Sequence, residues 1–206
     1  GQEGSGLVFL MKLDASGTPV WTKTYDAPGV WGMRQHHNGL VQLADGGFAL
    51  QLATQEDNDW LMLRTDADGE ILWSDRLEFA GGLPMDVAAL PNGDLVFTGN
   101  DQGLGAPTLI LRKDGLTGAT EWMHWYTNGP GQIMSAQGLV AAADSTILLA
   151  GYINDISFYD AFALALSSTD GTPLWSTRVG TDEFDLAEDV AIAPNGDYLL
   201  SGRMLQ

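Results

Sequence analysis

LMLRTDADGEILW, residues Leu61 to Trp73, is an alternating apolar strand, a tight Asp-Gly turn and a second strand that ends on a tryptophan. Side chains two residues apart share a face of a strand, so this pattern is a hairpin with one side turned to a core. The same pattern recurs as FLMKLDASGTPVW (Phe9 to Trp21), LILRKDGLTGATEW (Leu109 to Trp122) and ALALSSTDGTPLW (Ala163 to Trp175). The tryptophans are spaced by 52, 49 and 53 residues. Self-similarity at a fixed period governs every local assignment that follows.

Between these segments lies a second family: LVQLADGGFALQL from Leu40, VAALPNGDLVFTG from Val87, LVAAADSTILLAG from Leu139 and VAIAPNGDYLLSG from Val190. Each holds two short apolar strands around a two-residue polar turn. Asn92-Gly93 and Asn195-Gly196 are strong hairpin signals, because Asn and Gly tolerate the positive φ that such turns need. Asp45-Gly46 fits the same slot and Asp144-Ser145 is a weaker version.

One unit is therefore two hairpins, or four strands, in roughly 50 residues. No sustained 3.6-residue apolar period appears, so helices are not expected. The expected fold is all-β, a β-propeller of four-stranded antiparallel blades packed around a channel. The chain is read as a single propeller domain or propeller fragment over residues 1–206, with units centred on Trp21, Trp73, Trp122 and Trp175. It begins at the third strand of a unit and stops after the second strand of another. The C-terminal hairpin is then able to complete a shared blade with the N-terminal one, which also protects strand edges. Two arrangements fit: a closed four-blade ring, or part of a larger propeller finished by a parent chain or by self-association.

Composition narrows the partners. The chain has 9 basic and 27 acidic residues, a formal charge of −18, a field that repels phosphate backbones and anionic lipids. Nucleic acid and membrane insertion are not expected, the latter because no stretch approaches a spanning length. Without cysteine, disulfides, thiolate metal sites and thiol nucleophiles are excluded. Gly1 is not an initiator Met and no basic-then-apolar leader follows, so any targeting segment is expected to have been removed or to lie outside the sequence.

The run Trp21-x-Lys23-x-Tyr25, then Leu43 to Phe48, then Asp59 to Trp73, resembles repeats of large secreted proteins from Bacteroidota-type bacteria. That resemblance implies an exported, extracellular or surface-displayed propeller. A second resemblance is to quinoprotein propellers, whose tryptophan-docking motif D-x-x-T-G-x-x-x-W matches Asp114, Thr117, Gly118 and Trp122. The other units keep the Gly and Trp four residues apart, at Gly17/Trp21, Gly69/Trp73 and Gly171/Trp175. The motif implies an indole wedged between blades and not the quinone, since such enzymes usually also carry adjacent cysteines. The sialidase-type Asp box is a mismatch, because the Gly-to-Trp spacing here is one residue longer.

The repeat's Trp and Asp-Gly positions are accounted for by folding, so function is expected in the variable loops that join second to third strands and one blade to the next. Trp31, His36, Phe79, Phe158, Tyr159 and Phe184 are the candidate ligand-binding residues there. His36 and His37 point to opposite faces if the segment is extended, which argues against one shared ion. Asp182, Asp185 and Asp189 are the candidate calcium ligands in the densest acidic segment. No other cofactor is indicated. No nucleophile, base and orienter converge by sequence, so no catalytic residue is assigned. The expected function is a non-enzymatic binding or scaffolding module for protein or glycan; the alternative is a hydrolase, such as a glycosidase, with its site at the channel mouth.

Overall fold

The structure is a computed structural model that describes residues 6–27, 39–53, 59–78, 82–101, 107–129, 132–154 and 158–205. All its regular elements are strands. An N-terminal hairpin pairs β1 (Gly6–Leu13) with β2 (Pro19–Ala27). The first complete blade follows as β3 (Leu40–Gln42), β4 (Phe48–Ala53), β5 (Trp60–Thr65) and β6 (Ile71–Leu77). The second contains β7 (Gly82–Ala89), β8 (Leu95–Asp101), β9 (Thr108–Lys113) and β10 (Thr120–Tyr126). The third contains β11 (Met134–Ala141), β12 (Thr146–Asn154), β13 (Tyr159–Ser167) and β14 (Pro173–Val179). A C-terminal hairpin of β15 (Asp185–Ile192) and β16 (Tyr198–Met204) ends the chain.

Every pairing is antiparallel and follows chain order, so each sheet is a meander stacked against the next, the propeller arrangement that the repeat predicts. The four units are distributed as three complete sheets between two half-sheets. Among the described residues β1 pairs with β2 alone and β16 with β15 alone, so no shared blade joins the two ends. The result is an open arc.

Four apolar clusters occupy the four junctions of that arc. Val8 and Leu10 meet Leu50 and Leu63 at the first junction, and Trp60 and Met62 meet Val87 and Phe97 at the second. Val96 and Ile110 meet Leu149 and Phe162 at the third, while Leu148, Ala163 and Ala165 meet Ala187 and Val190 at the fourth. The repeat tryptophans reach across the same junctions. Trp73 Nε1 donates to the Gly115 carbonyl at 3.1 Å, and Trp122 Nε1 donates to the Ser168 carbonyl at 2.9 Å. Each indole thus lies against the turn of the following blade. Gly118, at φ +73°, accommodates the Trp73 ring, which a Cβ there would approach to 2.8 Å.

Polar side chains add clamps between blades. Asn100 donates through Nδ2 to the Ala136 carbonyl at 2.8 Å and accepts from Ala136 N at 3.0 Å. Asp86 accepts from Val87 N in its own blade and from Leu139 N, at 3.0 Å, in the next.

The inner turns differ from the two-residue form expected. Leu90 N donates to Asp94 O at 2.8 Å and Gly93 N to Leu90 O at 2.9 Å, leaving Pro91, Asn92 and Gly93 as a three-residue loop. Only the glycine takes positive φ there. Asn92 uses its carboxamide instead, donating to Asp94 at 2.8 Å. This is a type I turn closed by a left-handed residue. Where the third blade lacks that glycine, Ser145 takes the strained position at φ 67°.

Candidate functional site

The two rims of the arc differ chemically. On the rim formed by the hairpin turns, carboxylates are consumed by their own turns. Asp14 accepts from the Ser16 hydroxyl and from Ser16 and Thr18 N–H, and the Ser16 bond leads in holding it below the ordinary carboxylate range. Asp114 and Asp170 are lowered likewise, chiefly by the hydroxyls of Thr117 and Thr172, and Asp144 chiefly by Thr146 N–H. Two further carboxylates, exposed Asp45 and buried Asp94, are neutralised by third-strand arginines: Asp45 by the buried Arg64 at 2.5 Å and Asp94 by Arg112, bound through both Nε and Nη2. This rim has the chemistry of folding.

On the opposite rim β12 ends at Asn154, β13 begins at Tyr159, β14 ends at Val179 and β15 begins at Asp185. Four aromatic rings converge there. Phe158 lies edge-on to Phe184 at 6.0 Å between centroids, Tyr159 is 5.3 Å from Phe184, and Tyr152 is edge-on to Tyr159 at 5.1 Å. Strand periodicity explains the grouping: Asn154 lies opposite Tyr159 and Tyr152 opposite Ala161, so all four residues face the β15 side. Leu205 N donates to the Phe184 carbonyl at 3.2 Å, anchoring the ring's backbone to the end of the C-terminal hairpin. Phe158 and Phe184 nevertheless stay 40% and 38% exposed. They form an apolar platform facing solvent.

Beside the platform are polar atoms without internal partners. Asp185 is fully buried and its Oδ2 accepts from Thr181 N, whereas its Oδ1 has no hydrogen-bond partner among the described residues. Asn154 Oδ1 is in the same position. A buried acceptor left unmatched costs about 1–3 kcal/mol, so one at the end of β12 and one at the start of β15 are an arrangement that a donor-rich ligand would relieve. Next to them Arg178 is paired with Asp160, and a Cβ at Gly180 would collide with the Asp160 carboxylate. Behind the third blade, a cavity of about 430 Å³ lies between Tyr126, Met134, Ile153, Phe162, Ser176 and Arg178. Burial pushes the Tyr126 phenol up to about 12, with Asp170 adding to the effect.

Of the residues singled out by sequence, Phe158, Tyr159 and Phe184 are thus brought together. Trp31, His36 and Phe79 lie outside the described residues. Asp182 is exposed in the 180–184 loop, Asp185 is buried, and Asp189 sits on the β15 bulge with Oδ1 accepting from Val190 N at 2.8 Å. Among the described residues no three metal-capable side chains form a group. Tyr152 and Asn154 escaped the sequence reading because both sit in a regular strand, where the repeat pattern masks them. Their signal was register: Asn154 ends β12 opposite Tyr159.

No family model matches the sequence, and no curated protein matches it either. Solved structures do. The chain is similar to the Dos1 propeller (TM-score 0.63, 10% identity), with 96% of this chain and 50% of that one covered. It is also similar to the quinohemoprotein alcohol dehydrogenase of Comamonas testosteroni (TM-score 0.59, 14% identity, 96% and 38% covered). A third likeness is to quinohemoprotein alcohol dehydrogenase ADHIIG of Pseudomonas putida HK5 (TM-score 0.59, 14% identity, 93% and 35% covered). The class these define is the β-propeller. The chain spans half or less of each of these proteins, and at such identities the likeness concerns the fold alone.

Proposed function

We propose that the chain is a non-enzymatic propeller module, exported to the cell surface or beyond, that binds a glycan on the rim between its third blade and C-terminal hairpin. The observation that carries this reading is the exposed platform of Phe158, Tyr159 and Phe184 beside the two unpartnered acceptors, Asn154 Oδ1 and Asp185 Oδ1. Aromatic faces stack on the C–H faces of sugar rings, and sugar hydroxyls supply the donors that both oxygens lack. A protein partner would use the same rings as anchors, but it brings one backbone donor per residue, against several hydroxyl donors on each sugar ring. The acidic, cysteine-free composition suits an exported protein that needs no disulfides. The quinohemoprotein likenesses lend fold support only, and no quinone site is drawn from them.

A glycan array on the 206-residue chain, followed by calorimetry with the best ligand, tests this. Phe184→Ala is expected to weaken binding about tenfold or more and Asp185→Asn about tenfold. Chelator is expected to leave binding unchanged; loss on chelation would assign calcium to the Asp182, Asp185 and Asp189 segment. Glycoside turnover abolished by Asp185→Asn would overturn the non-enzymatic reading in favour of a hydrolase. A blank array would overturn the glycan.

A further inference from the structure

The aromatic rim holds a negative charge that no cation among the described residues answers. Asp185 stands two residues before Ala187, on the face of β15 that packs against Leu148, Ala163 and Ala165 of the third blade. Its carboxylate therefore enters the space between β15 and the strand ends that carry Tyr152, Asn154 and Tyr159. It is fully buried, with Oδ2 accepting from Thr181 N and Oδ1 left without a partner among the described residues. The cations of this region are engaged elsewhere: Arg178 pairs with Asp160, and Arg203 with Glu188 at 2.7 Å. A carboxylate out of water is costly unless a counter-charge or a full set of donors meets it. The fold does not require an acid here, since the same slot before the first-strand bulge holds Gly82 in the second blade and Met134 in the third.

The rings around this carboxylate are set at angles to one another. The planes of Tyr152 and Tyr159 meet at 83°, those of Phe158 and Phe184 at 80°, and those of Tyr159 and Phe184 at 41°, so their faces point in several directions. The face of an aromatic ring is its negative part, and several such faces beside a carboxylate favour a cation. The formal charge of −18 adds a long-range attraction of the same sign. A hydroxyl donor would satisfy the hydrogen bonding of Asp185 Oδ1 and leave its charge unanswered, whereas an ammonium answers both. Asn154 Oδ1, the other unpartnered acceptor of this rim, is neutral and suits a neutral donor. An amino sugar presents that pair on adjacent ring carbons, an ammonium next to a hydroxyl. A lysine carries its ammonium alone at the end of a methylene stem.

We propose that the group selected by this rim is an ammonium, carried by a glycan whose amino sugars are not acetylated. The inference rests on the glycan reading of the same site and adds to it the charge of the ligand. The ammonium sits against Asp185 Oδ1 among the aromatic faces, a neighbouring hydroxyl donates to Asn154 Oδ1, and the C–H face of the sugar lies on the exposed Phe184 ring.

Hexasaccharides of β-1,4-linked glucose rings that differ only at C2, bearing hydroxyl, acetamide or free amine, separate charge from shape. Titrated calorimetrically into the 206-residue chain, the amine form is expected to bind about tenfold or more tighter than the other two. Asp185→Asn keeps the shape and an acceptor for Thr181 N. It is expected to weaken the amine form about tenfold and to change the other two by less than about threefold. Phe184→Leu keeps apolar bulk without a ring face and is expected to reduce the preference for the amine about fivefold. Asp68→Asn makes the same charge change in the exposed β5–β6 turn on the opposite rim, and is expected to alter affinity by less than about twofold. Equal affinity for the three sugars, silence from all three, or preference for hydroxyl or acetamide would overturn the ammonium; the glycan reading then stands or falls on the array. Amine binding weakened alike by Asp185→Asn and Asp68→Asn would overturn it too, because that is attraction to the acidic surface as a whole. A blank array together with butylammonium bound in a manner lost with Asp185→Asn would remove the glycan reading and keep the ammonium site.

Discussion

Phe162 and Phe9 occupy the same register position of a third strand, yet one is 3% exposed and the other 66%. Phe162 lies between the second and third blades among Val96, Ile110 and Leu149. Phe9 faces no neighbouring blade among the described residues. Leu164 and Leu166 are likewise buried, whereas Met11 and Leu13 are exposed. The local sequence therefore specifies the strand and its face, but the neighbour decides whether that face contributes to stability. The largest effect is expected here. Phe162→Ala should cost about 3–5 kcal/mol in denaturant unfolding, while Phe9→Ala in single chains should cost under about 1 kcal/mol. Equal losses would mean that β1 is covered in the unit being unfolded.

A second contrast separates blade bodies from the aromatic rim. Asn100 has its carboxamide satisfied on both sides by Ala136 and by Thr108, whose hydroxyl donates to Oδ1 at 2.9 Å. Asn154 leaves Oδ1 bare. Truncating the first takes from the Ala136 C=O its bond across the blades and leaves the Ala136 N–H with the Thr108 hydroxyl alone; truncating the second removes an unmet acceptor. Asn100→Ala is expected to cost about 2 kcal/mol, and Asn154→Ala about zero or a slight gain. A substantial loss at Asn154 would remove the argument that this rim is held at a cost to stability for a ligand.

Between the third blade and its neighbours there is also a difference in turns. Ser145 holds φ 67° where Gly46, Gly93 and Gly196 sit in the equivalent place. Ser145→Gly is expected to stabilise by about 0.5–1 kcal/mol, and the reverse change Gly93→Ser to cost as much, read from paired melting curves.

The strands and their grouping were legible because a period-2 pattern and a Trp at a fixed offset from a turn glycine are direct consequences of blade packing. The turn type was not, since Asn-Gly is compatible with a two-residue loop and with the three-residue loop of Pro91 to Gly93; the proline and the Asn92–Asp94 bond decide it. Phe158, Tyr159 and Phe184 were legible as exceptions to the repeat. Asp185 was legible only as one acid among many. Its burial follows from its place at the start of β15, in the slot that Met134 fills one blade earlier, and no composition rule marks that exchange.

The smallest effect sharpens the comparison between junctions by spectroscopy. Tyr25 and Tyr126 both donate their hydroxyls to the turn glycine of the next blade, to Gly69 O at 2.8 Å and Gly171 O at 2.5 Å. Burial raises both phenols first of all; Lys23 opposes the rise at Tyr25, while Asp170 adds to it at Tyr126, which reaches about 12. A phenol raised in the folded state is one the fold keeps protonated. Its contribution to stability is complete below the ordinary value near 10 and is lost as pH climbs towards 12. Ultraviolet titration is therefore expected to show Tyr126 ionising last, with the second-to-third blade junction loosening only above about pH 10. Replacing Tyr126 by Phe removes that late step and leaves the one from Tyr25. If the step that Tyr126→Phe removes lies near the ordinary value of 10 instead, the 2.5 Å bond to Gly171 is not holding the junction.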